Sequence, residues 1–519
     1  MFKPFSILLV LCALAASTPF AIGRDAPTIE LKIGEAQTPI LWNSDGTDRA
    51  TCVQRIGVPT NSDAIDRAVV TLSEPKFIKR IEARVKDKVV GVYDADGGSD
   101  VDPNRATATQ IPIAIALPSA LADGDELSIW VVPSENATLD DVLEIGVSSV
   151  YVDGKAILSN AAPIKYRFGT VVRDVKWDGV DVYRIPGIVK TKNGTLVAVY
   201  DARWNGYPDL PANIDVMCSR SFDDGKTWSP MQVVIDKKGE DETKEGVGDP
   251  SILVDPETGR VWVAALWAHN GKSTAASEPG LEFGRSGRFI ICYSDDDGAT
   301  WSEPRDVTNE AAPDVDWRIF FQGPGCGITT RDGKLVFPAQ FIDKDGVWYS
   351  TLLTSADKGE TWRGGTGAHK MTCESQVVEL NDGSLMLNMR NFNGKPRSVA
   401  TTTDYGKTWT EHPTSEKALV EPVCQASLIR VKAKADGDDG DLLAFMNPNH
   451  PKGRVDMTIK LSEDEGQTWP RELTLYRPGG LGYSCLVKLD DDTLGAFYET
   501  MGGLVFQRVK IADIPSKAK

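Results

Sequence analysis

The chain has 519 residues, with 57 basic and 74 acidic side chains and a formal net charge of −17. That balance opposes nucleic-acid binding, which needs a basic face. Its four histidines (His269, His369, His412 and His450) are too dispersed for a helical metal motif, and the length exceeds what one core usually serves.

The chain opens Met1-Phe2-Lys3, followed by an apolar stretch from Phe5 to Ala16 and then Ala21-Ile22-Gly23. A cation, a short apolar core and a small-x-small site predict a secretory signal over residues 1–23, cleaved near Arg24. The apolar run falls short of the ~20 residues that span a bilayer, so no membrane span is expected. Leu11 before Cys12 fits a lipoprotein site poorly. The expected location is secreted or periplasmic, with association at the cell surface left open. Cleavage removes only Lys3 among the charges (57 − 1 = 56 basic against 74 acidic, net −18) and leaves seven of eight cysteines. An odd number without zinc-type spacing predicts buried thiols and one disulfide at most.

Residues 24–166 contain FIKRIEARV, VVGVYDA, DELSIWVVPSE and LEIGVSSVYVDG. Alternating apolar and polar residues between turn clusters predict a β-sandwich. A packing or spacer role is the simpler reading for it, and carbohydrate binding the other. Asn136-Ala137-Thr138 fits the glycosylation pattern, whereas Asn193-Gly194-Thr195 reads as a turn.

From residue 173 to 511 two motifs repeat. A phrase of the form Ser/Thr-x-Asp-x-Gly-x-Thr-Trp occurs five times, at Ser221–Trp228, Ser294–Trp301, Ser355–Trp362, Thr402–Trp409 and Ser462–Trp469. Asp can accept local N–H groups, Gly can take a left-handed backbone and Trp can pack beneath the turn. A hydrophobic hairpin occurs six times, with turns such as Asn193-Gly194, Asp332-Gly333 and Asp382-Gly383. The first five hairpins are each followed by a box and the sixth is not. The expected fold is all-β: a six-bladed β-propeller, preceded by the sandwich, with its last blade completed by a strand from elsewhere. The glycine run Gly323–Gly327 lacks a following helix and reads as loop scaffolding, not a nucleotide loop.

Residues equidistant from a hairpin turn lie opposite each other. Glu374 and Arg390 mirror each other about position 382, Tyr483 and Glu499 about 491, and Arg184 and Arg203 straddle Asn193-Gly194. All six sit at hairpin ends away from the turns, so equivalent blades gather them at one mouth. Charges converging on an axis need a ligand or one another, because unpaired buried charge is costly.

The segments YRIP (Tyr183–Pro186), CESQ (Cys373–Gln376), NMRN (Asn388–Asn391), GYSCL (Gly482–Leu486) and FYE (Phe497–Glu499), with the Asp boxes, resemble the exo-sialidase (neuraminidase) family over about two-thirds of the chain. The N-terminal sandwich resembles, more weakly, the extra domain ahead of some bacterial sialidase propellers. The resemblance implies that Arg184, Arg390 and Arg454 grip the substrate carboxylate. Tyr483 would be the nucleophile, Glu374 its base partner and Asp209 the general acid, with Asp215 a rival on the same loop. Glu499 would hold Arg184, and Arg203 would stand near the sugar's O4. Asp249 and Gln322 are expected on the glycerol or N-acyl side, while Trp317 and Trp348 are expected to pack. Three guanidiniums fix a carboxylate geometrically, which lysines do not. A neutral tyrosine avoids repulsion by the substrate's own carboxylate, the exception noted for sialidases. The implied partners are sialylated glycans, glycoproteins and glycolipids, and the mechanism needs no metal or cofactor. The alternatives are an intramolecular trans-sialidase, a hydrolase of the deaminated nonulosonic acid, or a propeller that only binds glycans. The Tyr483/Glu374 couple separates catalysis from binding alone.

Overall fold

The structure, a computed structural model, describes residues 32–35, 38–57, 65–95, 111–117, 126–152, 155–158, 162–237 and 244–517; the expected signal segment lies outside them. The Asp boxes close their turns by side-chain chemistry. In the first, Ser221 Oγ donates to Asp223 Oδ1 (2.8 Å) and accepts from Gly225 N (2.9 Å). Asp223 in turn accepts from Thr227 N and Oγ1 at 2.9 and 2.6 Å, and Trp228 Nε1 donates to Gly225 O at 3.1 Å. The Ser/Thr–Asp–Gly–Thr bonds recur in the other four boxes. The residue before each box glycine is also left-handed, with Asp224, Asp297, Lys358, Tyr405 and Glu465 at φ between 53° and 60°. The backbone strain is therefore shared between two positions, and the side-chain bonds hold it.

Each box follows the third strand of a blade built on four antiparallel strands, to which blade two adds a short parallel strand, Gly325–Cys326, and blade three a short strand, Ile328–Thr329. Blade one is Val182–Lys190, Leu196–Arg203, Ile214–Ser221 and Gln232–Ile235. Blades two to five begin at Val247–Val254, Ile319–Gln322, Thr372–Glu379 and Ser427–Lys432. The sixth is Ser484–Lys488, Thr493–Glu499 and Leu504–Lys510, and its fourth strand is supplied by Thr170–Arg173, which pairs with Leu504–Phe506. Closing the ring with a strand from the other end of the domain leaves no open seam between first and last blades.

The innermost strands of blades one, two and four break register near the same end, between Arg184 and Gly187, Gly248 and Ser251, and Thr372 and Ser375. Two of these bulges carry a left-handed residue before proline, Ile185 (φ 59°) and Asp249 (φ 56°). Such a conformation is strained for a β-branched residue, and bulges re-aim side chains beside active sites. Here Ile185, Asp249 and Glu374, one from each bulged strand, line a common cavity.

Below that cavity the axis is filled by amides. Gln376 Nε2 donates to Pro324 O at 2.8 Å, and Gln425 bonds Ser484 through both ends of its amide (3.0 and 2.9 Å). Gly325 (φ 114°) fits among them because a Cβ there would sit 2.9 Å from Gln376 Nε2 and 3.1 Å from Gln425 Nε2. The glycine run is thus axial packing.

The chain divides into two compact units inside the strand Ile164–Arg173, after Gly169. The first unit has two sheets. One orders Lys32–Glu35, Thr51–Gly57, Glu126–Pro133, Ile78–Val85 and Lys88–Asp94; the other contains Val142–Val152, Ile65–Leu72 and Ile111–Ala116. Ile56, Ile81 and Ile129 meet Val70, Ile115 and Ile145 in its core. Among the described residues all seven cysteines are free thiols, so the disulfide allowed by the sequence is not formed. Six of them are buried, where packing occupies the sulfur. No helix among the described residues is long and apolar enough to cross a membrane.

Candidate active site

Three arginines from different parts of the propeller converge on one phenol. Arg184 places its guanidinium 4.9 Å from the Tyr483 ring centroid and Arg454 at 5.6 Å, while Arg390 Nη1 donates to Tyr483 Oη at 3.0 Å. Tyr483 Oη donates to Glu374 Oε1, and Glu374 Oε2 accepts from Arg390 Nη1 at 2.6 Å. The phenol is therefore held by both the carboxylate that could take its proton and the cation that could stabilise its anion. Burial, aided by Glu374, nevertheless holds the Tyr483 pKa well above its ordinary value, against the pull of Arg390 and Arg184. Tyr483 is therefore held as a neutral phenol in this site.

Glu499 organises one side. Its carboxylate is fully buried and accepts from Arg184 Nε (3.1 Å), Ile185 N (2.9 Å) and Tyr483 N (2.9 Å). One group thus fixes the arginine, the bulged backbone beside it and the backbone of the tyrosine. Burial works to lower the Arg184 pKa, but Glu499, Tyr483 and Asp209 outweigh it and raise it. Arg454 orients by donating to Leu481 O at 2.7 Å and Val423 O at 3.4 Å.

Asp209 stands on the exposed loop after Leu196–Arg203, its side chain 79% accessible. It accepts from Arg203 Nη1 at 2.7 Å and Arg184 Nη1 at 3.4 Å. Desolvation pushes its pKa up, but Arg203 and Arg184 more than compensate and hold it below the usual carboxylate range. The rival Asp215 is buried in the next strand and accepts the indole N–H of Trp204 at 2.7 Å. Geometry brings Asp209, and not Asp215, to the cavity wall.

Arg203 does not lie opposite Arg184. The ladder already pairs Gly187 with Val199, one residue off the mirror position, and the bulge adds a second step, so Arg184 pairs with Asp201 and Arg203 with Val182. Asp201, unmarked in the sequence reading, is fully buried and accepts from Arg203 Nε and Nη2 at 3.1 and 2.9 Å. It also accepts Asp249 N at 2.9 Å. Burial, reinforced by the carboxylates of Asp201 and Asp209, raises Asp249 well above the carboxylate range despite Arg203. Burial pushes Asp201 up as well, to about 6, against Arg203.

A cavity of about 180 Å³ is lined by Asp209, Asp249, Glu374, Arg390 and Tyr483 on its polar side, and by Leu210, Leu266, Phe321, Trp348 and Phe392 on its apolar side. Gln322 is not on that wall, which corrects the expectation for it. It is wholly buried and its Nε2 donates to Asp249 O at 2.5 Å, so it braces Asp249 from behind. Trp317 packs as expected, stacked on Phe341 with centroids 3.6 Å apart. Trp348 instead reaches the cavity. Of the apolar wall only Trp348 stood out in the sequence, because Leu266 and Phe321 lie in ordinary apolar strands and Leu210 and Phe392 in connections.

Residues 194–498 match the BNR repeat-like domain family. A sialidase of Bacteroides fragilis is 45% identical over 380 residues, covering 71% of this chain and 70% of the relative. A sialidase of Micromonospora viridifaciens is 34% identical, covering 64% of this chain and 52% of that longer protein. Among solved structures, the Hadza microbial sialidase Hz136 superposes with a TM-score of 0.83 at 35% identity, over 93% of this chain and all of that one. An intramolecular trans-sialidase of Ruminococcus gnavus, at 19% identity and a TM-score of 0.57, shares the fold alone. Repeat, propeller and relatives agree: the chain belongs to the BNR-repeat sialidases and is a glycoside hydrolase of the exo-alpha-sialidase type.

Proposed function

We propose that this enzyme releases terminal sialic acids from glycoconjugates with retention of configuration, through a covalent bond between Tyr483 and the anomeric carbon. The observation that carries the reading is the Tyr483–Glu374 hydrogen bond inside a ring of Arg184, Arg390 and Arg454. Sialic acid bears a carboxylate on its anomeric carbon, and charge-assisted bonds from three guanidiniums fix that carbon over the phenol. As Tyr483 Oη bonds to the carbon, its proton passes to Glu374. The glycosidic C–O bond breaks and its oxygen takes a proton from Asp209. In the second step Asp209 removes a proton from water, water oxygen bonds to the anomeric carbon, and the Tyr483 C–O bond breaks with the phenol reprotonated from Glu374. The net reaction is hydrolysis with two inversions at one carbon.

The geometry of Asp209 supports a link between binding and acid strength. Without substrate its carboxylate shares Arg184 and Arg203. A substrate carboxylate taking Arg184 removes one of the two cations that depress Asp209, and its pKa rises toward that of a working acid. The polar wall around Asp249 and the apolar wall around Leu266 and Phe321 suit a sugar bearing both hydroxyls and an acyl group. Sialylated glycoproteins, glycolipids and oligosaccharides are the proposed substrates, and export by the N-terminal signal is proposed as the route to them.

The test is to react the enzyme with a 2,3-difluorosialic acid, digest it, and read the adduct by mass spectrometry while proton NMR follows the first-formed product from a sialyl oligosaccharide. The expected outcome is an adduct on Tyr483 and free α-sialic acid before mutarotation. An adduct elsewhere, a first-formed β-anomer or an anhydro sugar would refute the reading. Enzyme activity in the cell-free fraction of the producing culture tests export.

A further inference from the structure

A second, exposed surface adjoins the acid. Tyr207 and Met501 are 55% and 65% exposed, and Val175 is 37% exposed. Gly502 joins them: a Cβ on it would lie 2.7 Å from Val175 Cγ1 and 3.3 Å from Tyr207 Oη. Tyr207 and Met501 come from separate connections at the mouth, one following Leu196–Arg203 of blade one and the other following Thr493–Glu499 of blade six. Tyr207 stands two residues before Asp209 and Met501 two residues after Glu499, the two carboxylates that hold Arg184.

The position of this patch relative to the acid is fixed. Arg203 Nη1 donates to Tyr207 O (2.8 Å), Pro208 O (3.1 Å) and the Asp209 carboxylate (2.7 Å). One buried guanidinium thus braces three successive residues and leaves the Tyr207 ring outward. The Gly502 backbone is tied in as well, its carbonyl accepting from Tyr183 N at 3.1 Å. Large apolar side chains left exposed together beside a functional site mark a binding surface. An aromatic ring costs little entropy to hold still and offers a wide contact area.

The occupant follows from the chemistry of the acid. The glycosidic oxygen must lie within hydrogen-bonding reach of Asp209, so the ring beyond that oxygen starts next to Tyr207. A hexopyranose has an apolar face of C–H groups that suits the tyrosine ring and the thioether of Met501, and hydroxyls at its edge that remain in water. We propose that Tyr207 and Met501 form a platform for the neutral hexose to which the sialic acid is attached. This rests on the reading of Asp209 as the acid, and it adds a recognition element for the part of the substrate that leaves.

The experiment compares Tyr207→Ala, Tyr207→Phe and Met501→Ala with the parent enzyme on methyl α-sialoside, which lacks the hexose, and on a sialylated tetrasaccharide. Tyr207→Ala is expected to raise KM for the tetrasaccharide about fivefold, roughly the 1 kcal/mol of a stacked ring. Its kcat/KM on methyl α-sialoside should stay within twofold. Tyr207→Phe should behave as the parent, since the ring and not the hydroxyl makes the surface, and Met501→Ala should show a smaller change in the same direction. Saturation-transfer NMR with the tetrasaccharide lacking its sialic acid should show transfer to the hexose that weakens in Tyr207→Ala. Equal effects on both substrates, no effect on either, or no saturation transfer to the hexose would each overturn the platform. Asp209→Asn on methyl α-sialoside tests the acid separately, so failure of one is not mistaken for failure of the other.

Discussion

Replacing Asp209 with asparagine should move binding and turnover in opposite directions. The carboxylate sits 2.7 Å from Arg203 Nη1 and 3.4 Å from Arg184 Nη1, so in the empty enzyme it competes for a cation that the substrate needs. Because the Asp209 side chain is 79% accessible, solvent screens the pair, and its worth is about 0.5–1 kcal/mol rather than the value of a buried bridge. Asparagine keeps the shape and drops the charge. Free sialic acid, the product, is then expected to bind about two- to fivefold more tightly. Turnover should fall about 100- to 10,000-fold for alkyl and sugar leaving groups, which need a proton. An aryl sialoside with an acidic phenol as leaving group should lose far less. Isothermal titration with sialic acid and kinetics on the two substrate types provide the readings. Weaker product binding in the variant, or the same loss of kcat for both leaving groups, would refute the argument.

Other outcomes follow from the same geometry. Tyr483→Phe removes the Glu374 and Arg390 hydrogen bonds but leaves the Arg390–Glu374 pair at 2.6 Å, so it should abolish most turnover while sialic acid affinity stays within about tenfold, roughly 1.4 kcal/mol. The raised Asp249 pKa makes the native state hold a proton that the unfolded chain releases near its ordinary carboxylate range; wild-type stability relative to Asp249→Asn is therefore full below that range and declines as pH rises toward the native value. Melting curves of the two proteins from pH 4 to 8 should diverge in that sense, and parallel curves would count against it. Trp362 is 1% exposed and packs against Trp262 and Phe337, so Trp362→Ala should cost about 3–5 kcal/mol by calorimetry. Trp409, only partly buried in the equivalent box, should cost markedly less when replaced in the same way.

The repeat made the propeller legible, because five boxes and six hairpins leave few architectures open. Mirror symmetry about a turn then placed Tyr483 opposite Glu499 and Glu374 beside Arg390, and these residues do meet. The same rule misplaced Arg203, because the ladder runs one residue short of the mirror about Asn193-Gly194, with Lys190 paired to Leu196, and the strand holding Arg184 then bulges at Ile185-Pro186. The proline in YRIP was the available warning, since it removes a ladder donor. Asp201 was missed although an acid inside the apolar strand Leu196–Arg203 is itself a signal that a buried partner stands nearby. Arg454 lies outside any hairpin and could be reached only through its motif. Gln322 was assigned through its motif, which does not show that the side chain stops behind Asp249 and bonds its carbonyl.

The amide network at the propeller axis carries a consequence for traffic. Gln376, Gln425 and Gly325 pack together, with Gln425 bonded to Ser484, the residue after Tyr483, and so floor the catalytic well. A glycan must enter tip first, which confines cleavage to a capping residue however long the branch behind it. Departing sugar has to climb out by the doorway the next chain uses, so accumulated product queues against incoming substrate at a single opening.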